Sequence, residues 1–355
     1  MRSVTAPACI GLLLAGVWLL PIEAHKPITS PYTFAEDVAP ILRERCATCH
    51  VAGGPAPMPL TTAEETVPWG ESIRLELVAG HMPPWSAMSG GKRLPHAEGL
   101  TARELNVLLT WVTGGTPPGD AKPAPPAPAP VEWPLGTPDL TLPLPEVSVA
   151  ADKGEVTEVI GLPLEAVAHR PLRAVDLRPG TRSLVRSARI TVQSASRPSS
   201  DTETLIGLWL PGDQPVALPR GAAFAMPADA QIVVTLRLKK TWEHEREAMT
   251  DRSTLALYFA GSGAPVQRLA VTGQTLSEGV RVLSLYPVPA ATGATVTLDA
   301  TLPNGAARRL IEFAPRPGWD RRYTFDPPFE LPAGTRLQAS APDGIVLNVV
   351  QLPAR

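Results

Sequence analysis

Two thiols and an imidazole stand together in Cys46-Ala47-Thr48-Cys49-His50. A Cys-x-x-Cys pair is open to a disulfide, a redox dithiol, half of a zinc site or covalent attachment of haem, and the next residue separates these chemistries. With histidine directly after the second cysteine, the thiols can add to the two vinyl groups of a haem while the imidazole is held under the iron as an axial ligand. Zinc would need a second pair of ligands, and the only other cysteine is Cys9. A thioredoxin-like dithiol would follow a strand in a βαβ unit, whereas Phe34 to Leu42 reads as helical turns leading into the cysteines. The residues therefore predict one covalent haem c on Cys46 and Cys49, with His50 as the proximal metal ligand.

The sixth position is open to a thioether, which favours ferrous iron and raises the potential. Met58, Met82 and Met88 are the candidates. In His81-Met82-Pro83-Pro84-Trp85 two prolines hold the backbone extended, so a sulfur can be presented at little entropic cost. Met58 follows closely behind His50, a short path to the opposite haem face. Met82 is the preferred ligand and His81 the alternative, since imidazole also binds iron well.

Helices must position these groups. Besides the turns over Phe34 to Leu42, Thr101 can cap a helix in which Glu104 completes a capping box. That helix should run to Thr113, present Leu105, Leu108, Leu109 and Val112 on one face, and stop at Gly114-Gly115. The front unit, residues 25–115, is thus expected to be small and all-α. A Pro/Ala-rich linker at 116–135 should behave as a polyproline II spacer of about 3 Å per residue. The haem core then reads as built before Thr116, so cutting within 121–130 should release it intact. From 136 to 355, short apolar runs at 189–192, 205–210, 231–236 and 295–298 alternate with Gly and Pro turn signals. They predict an all-β antiparallel, two-sheet sandwich.

Phe34 to Leu42, the Cys-x-x-Cys-His run, Met82-Pro83-Pro84-Trp85, Trp111-Val112 and Gly119-Asp120 together resemble a family module. It is the small cytochrome c domain at the front of bacterial proteins related to copper type II, ascorbate-dependent monooxygenases. The resemblance covers about residues 32–120 and implies that Met82 is the distal ligand. Ser86 stands where the family often has histidine.

The back region resembles the jelly-roll-like copper-binding body of that family more weakly. The likeness runs through Thr181 to Val185, Leu218 to Gly221, Asp251-Arg252-Ser253, Trp319 to Tyr323 and Leu331 to Thr335. The family binds copper through histidines and a methionine, ligands suited to the Cu(I)/Cu(II) cycle. By that likeness Arg186-Ser187 replaces a histidine pair, Arg237 a strand histidine, and Val288-Pro289-Ala290 a His-x-His element. His169 and His244 are the only histidines in that region, so copper is not expected. His25 would begin the mature chain, but without a second histidine beside it it makes no copper site.

Residues 1–24 read as a secretory signal, with Arg2, an apolar stretch from Ile10 to Leu20, and Ala24 at the cleavage point. Cys9 should leave with it, and the product should be periplasmic or otherwise exported. Membrane association would require that the segment be retained. A net charge of −2 argues against nucleic acid as a partner. Apolar residues at 44% and 42 prolines fit cores of β structure joined by turns. No phosphate loop, nucleophile elbow or zinc-helix motif occurs, and no catalytic residue is assigned. The expected function is electron transfer to a redox partner protein, with the sandwich docking or binding a partner. The alternatives are a haem-containing, copper monooxygenase-like oxidoreductase and a haem-based ligand sensor.

Overall fold

The protein is known here from a computed structural model. It describes residues 29–84, 87–88, 90, 93–94, 97, 99–120, 132–163, 169–196, 203–288, 295–316, 318–341 and 344–353. The signal segment, His25, Trp85-Ser86 and linker residues 121–131 lie outside the described residues.

The front of the chain is helical, and its caps are written in the sequence. The Thr33 hydroxyl accepts from the N–H of Glu36 and opens a π-helical turn, Phe34–Val38, that runs into α1 (Ala39–Arg45). Pro40 sits in the first turn of α1, where its missing N–H costs nothing. Thr62 and Glu65 form a capping box for α2 (Ala63–Thr66), which continues through a 3₁₀ turn into α3 (Gly70–Val78). The box expected from Thr101 and Glu104 is present at the start of α4 (Ala102–Thr113), and Gly114 ends that helix. A Cβ on Gly114 would stand 2.4 Å from the Ser30 nitrogen. Only glycine lets the incoming chain close there, with Ser30 N–H donating to the Gly114 carbonyl at 3.0 Å.

Phe34, Val38, Leu42, Leu60, Leu77, Val107, Leu108 and Trp111 form the apolar core of this cluster. The buried stripe of α4 is Val107, Leu108 and Trp111, while Leu105, Leu109 and Val112 are only partly buried. The face is therefore rotated from the expected one because the indole, the largest apolar group on the helix, takes the centre. Trp111 Nε1 donates to the Pro117 carbonyl at 3.0 Å, so the ring is buried without stranding its polar atom.

The strands among the described residues are β1 (Ala87–Met88), β2 (Leu140–Pro143), β3 (Val147–Val149), β4 (Glu155–Pro163), β5 (Leu172–Arg178), β6 (Val185–Ser194), β7 (Thr204–Trp209), β8 (Gly221–Ala223), β9 (Ala230–Lys239), β10 (Met249–Asp251), β11 (Thr254–Phe259), β12 (Gly263–Pro265), β13 (Gln267–Ala270), β14 (Val280–Pro287), β15 (Val296–Thr301), β16 (Ala307–Phe313), β17 (Tyr323–Leu331), β18 (Arg336–Ala339) and β19 (Ile345–Gln351). The four runs expected as strands fall in β6, β7, β9 and β15. All pairings are antiparallel except that of β8 with β12. The molecule is thus mostly antiparallel sheet with a few short helices.

The strands do not form one two-sheet body. The order β4-β9-β6-β7 and the order β2-β11-β5 contribute to one apolar core, which includes Ile190, Ile232, Val234, Leu255 and Leu257. The orders β13-β19-β14-β17 and β1-β16-β15-β18 build a second, around Val282, Leu298, Ile311, Phe325 and Leu347. Alternation along a strand marks one face as buried but does not say against which sheet, so the sequence pattern merged the two.

The second core also takes in part of the front. Ala87 and Met88 pair with Phe313 and Glu312, and Leu94 and Ala97 are buried in the same cluster. No helix among the described residues is long and apolar enough to cross a membrane.

Candidate functional site

Helix α1 delivers the thiols. Its last turn closes with the N–H of Cys46 and Ala47 both donating to the Leu42 carbonyl, at 2.9 and 2.8 Å. The chain then folds tightly: Cys49 and His50 both donate to the Cys46 carbonyl, at 3.1 and 2.9 Å. Cys46, Cys49 and His50 therefore issue from one compact turn. The loop behind it returns so that Leu60 N–H donates to the His50 carbonyl at 3.0 Å.

That return also fixes the imidazole. His50 Nδ1 lies 3.1 Å from the Met58 carbonyl oxygen, which can only accept. Nδ1 therefore carries the proton, and Nε2 keeps its lone pair free for a metal, the arrangement that orients metal-binding histidines generally. Burial lowers the His50 pKa, opposed by the Met58 contact, and so favours the neutral, ligating form.

Cys46, Cys49, His50 and Met82 all line one cavity of about 520 Å³, within the roughly 300–1,000 Å³ span of cofactor sites. Met58, Trp69, Leu77, Pro83 and Leu100 make its walls mainly apolar. His81 is not in the lining: it is exposed, with Nδ1 3.1 Å from the Glu76 carboxylate. Met88 is exposed on β1, paired with β16. Of the sulfur candidates, Met58 and Met82 reach the cavity, and Met58 already serves it through its carbonyl.

Both cysteines are free thiols. Burial pushes Cys46 up to about 12, with the neighbouring Cys49 adding to the shift, and burial also raises Cys49. A redox dithiol needs the opposite, a thiol tuned downward. Apolar walls, an oriented imidazole and two free thiols on one cavity fit a covalently attached haem.

The back region closes the same cavity with Arg186 of β6, Trp242 of a 3₁₀ turn, and Pro211 and Trp319 from loops. This corrects the expectation that the pocket is built wholly from residues before Thr116. The Cys49 thiol donates to the Pro211 carbonyl at 3.4 Å. Next to it, Gly212 has φ of 76°, and a Cβ there would stand 2.7 Å from Thr48 Cβ. Glycine is needed on both counts for the turn to seat. Sequence reasoning placed none of the four at the haem cavity, and named Arg186 and Trp319 only through the likeness to the copper-binding body. The one signal was Trp242, an indole in the polar run Thr241 to Glu247 and still 62% exposed.

Elsewhere, His169 is exposed with φ of 63°, and His244 Nδ1 lies 3.2 Å from the Glu247 carboxylate. Arg237 sits opposite Ser187 on the paired strands, with its Nε 2.6 Å from Glu155. Residues 289–290 lie outside the described residues. No protein-family model matches the chain, and no curated protein sequence matches it.

Proposed function

We propose that this chain is an exported monohaem c-type cytochrome that transfers electrons to a redox partner protein. In this reading the helices form a small all-α cytochrome c domain, and the strands form a jelly-roll-like, copper monooxygenase-like body without its copper ligands. The observation that carries the reading is the His50 Nδ1 contact to the Met58 carbonyl. It leaves Nε2 free on an apolar cavity shared with both thiols and Met82.

Haem held there supplies one-electron Fe(III)/Fe(II) chemistry. Cys46 and Cys49 would anchor it, and His50, its imidazole oriented by the Met58 carbonyl, would be the proximal ligand. Met82 would supply a thioether, a ligand that favours the reduced state. Trp69, Leu77 and Leu100 keep water out of the low-dielectric interior. Met82 and Trp242 are both partly open to solvent at the cavity, which gives an incoming partner a short route to the site. No side chain is assigned a catalytic step.

The test is to export the protein from a host that attaches haem covalently, record oxidised and reduced visible spectra, and assay iron and copper. One iron per chain with a low-spin spectrum supports the reading. Chelation-resistant copper with ascorbate-dependent oxygen uptake overturns it in favour of an oxygenase, and a five-coordinate spectrum overturns it in favour of a ligand sensor.

A further inference from the structure

Arg186 enters the cavity through an irregularity in the sheet. On β6, Val185 pairs with Leu238 and Ser187 with Arg237, so Arg186 is an extra residue that the ladder skips. Bulges of this kind bend the strand, re-aim the skipped side chain, and recur beside functional sites. Here that side chain lines the cavity with Cys49 and His50.

Its Nη1 is buried and has no hydrogen-bond partner. The nearby carboxylate is engaged, since Glu155 is held by Arg237 at 2.6 Å. Arg45, the other arginine on the cavity, is bound by Glu104 at 3.1 Å. Arg186 thus presents a buried donor with no acceptor, a condition that costs free energy unless an acceptor arrives with a ligand. Burial, with Arg237 acting in the same direction, lowers its affinity for its proton, and Arg182 adds positive charge near Cys49. A planar guanidinium fork in an electropositive corner matches a carboxylate.

We infer that Arg186 is the counter-charge for a haem propionate, so that the β body completes the cofactor site with an ion pair while the helices hold it covalently. The inference rests on the haem reading above. A cation fixed beside the propionate offsets a negative charge that would otherwise stabilise Fe(III), so it raises the reduction potential. It also keeps the propionate ionised across the neutral range, leaving the potential nearly independent of pH there.

The experiment compares wild type with Arg186→Gln and Arg186→Lys. Covalent haem is measured first on a denaturing gel, and folding is checked by far-ultraviolet circular dichroism. Absence of haem from the wild type ends the haem reading itself at that step. With haem present in all three, Arg186→Gln is expected to lower the potential and to make it fall as pH rises, because the propionate then titrates in range. Arg186→Lys should retain most of the wild-type behaviour. Wild-type potential and a flat pH profile in folded, haem-loaded Arg186→Gln would overturn the inference while leaving the cytochrome reading intact.

Discussion

The thiol of Cys49 lies 3.4 Å from the carbonyl oxygen of Pro211, a contact between residues 162 positions apart in the chain. It joins the cysteine turn to the loop after β7. Together with the β1–β16 pairing, the Arg316 guanidinium on the Gly80 carbonyl and the Arg93–Asp326 ion pair, it ties the front to the strands. Haem attachment would remove the thiol proton, so the lasting tie at this point is Gly212 packed on Thr48 beside Pro211 on the cavity wall.

Cutting the chain within residues 121–131 should therefore leave the two pieces associated. A protease site placed there, followed by gel filtration, is expected to give co-elution at the size of the intact chain. A free front fragment with an unchanged visible spectrum would show that these contacts are dispensable.

Met82→Ala should remove the weak red charge-transfer band that thioether ligation gives ferric haem, and it should lower the reduction potential. His81→Ala should leave both unchanged, because His81 is exposed, paired with Glu76, and not among the residues that line the cavity. Loss of the band in Met58→Ala but not in Met82→Ala would reassign the ligand.

Trp111 is fully buried at the centre of the helical core and hydrogen-bonded to Pro117. Trp111→Ala removes the largest side chain in that core and strands the Pro117 carbonyl, at a cost of about 3–5 kcal/mol. Denaturant unfolding followed by helical circular dichroism should show it, and a loss below about 1 kcal/mol would mean the front draws its stability from elsewhere.

What the sequence made legible was local. The Thr101–Glu104 box, the stop at Gly114 and the strands β6, β7, β9 and β15 follow from short-range periodicity and capping. Helices α2 and α3 were missed although Thr62 and Glu65 form the same kind of box. Helix α3 leaves Leu75 and Val78 exposed, so it carries no clean apolar stripe. In the site, Cys46, Cys49 and His50 stood out because they are neighbours in sequence and Met82 because two prolines follow it, and all four line the cavity. Arg186, Pro211, Trp242 and Trp319 were not, since their place at the cavity depends on how distant segments of the chain approach the turn. The two β cores were merged for the same reason.

Asp176 is buried near Asp213 on β5, and burial raises its carboxyl to about 6, with Leu177 N–H opposing the shift. The folded chain then holds this proton more tightly than the unfolded chain. Stability should fall as pH rises from the ordinary carboxylate range through about 6 and stay level above. Asp176→Asn should remove that fall and stabilise the protein near neutrality, by on the order of 2–3 kcal/mol. Thermal melts of both proteins across that range provide the check, and parallel profiles would contradict it.

Haem bound as proposed is joined covalently to Cys46 and Cys49, and that bond can be assayed directly. Wild type and the Cys46→Ser, Cys49→Ser double variant, exported from the same haem-attaching host, can be run on a denaturing gel and stained for haem peroxidase activity. The expected result is a stained band at the full-length position for wild type and none for the double variant. Equal staining of the two, or no stain in correctly exported wild type, would contradict the central claim.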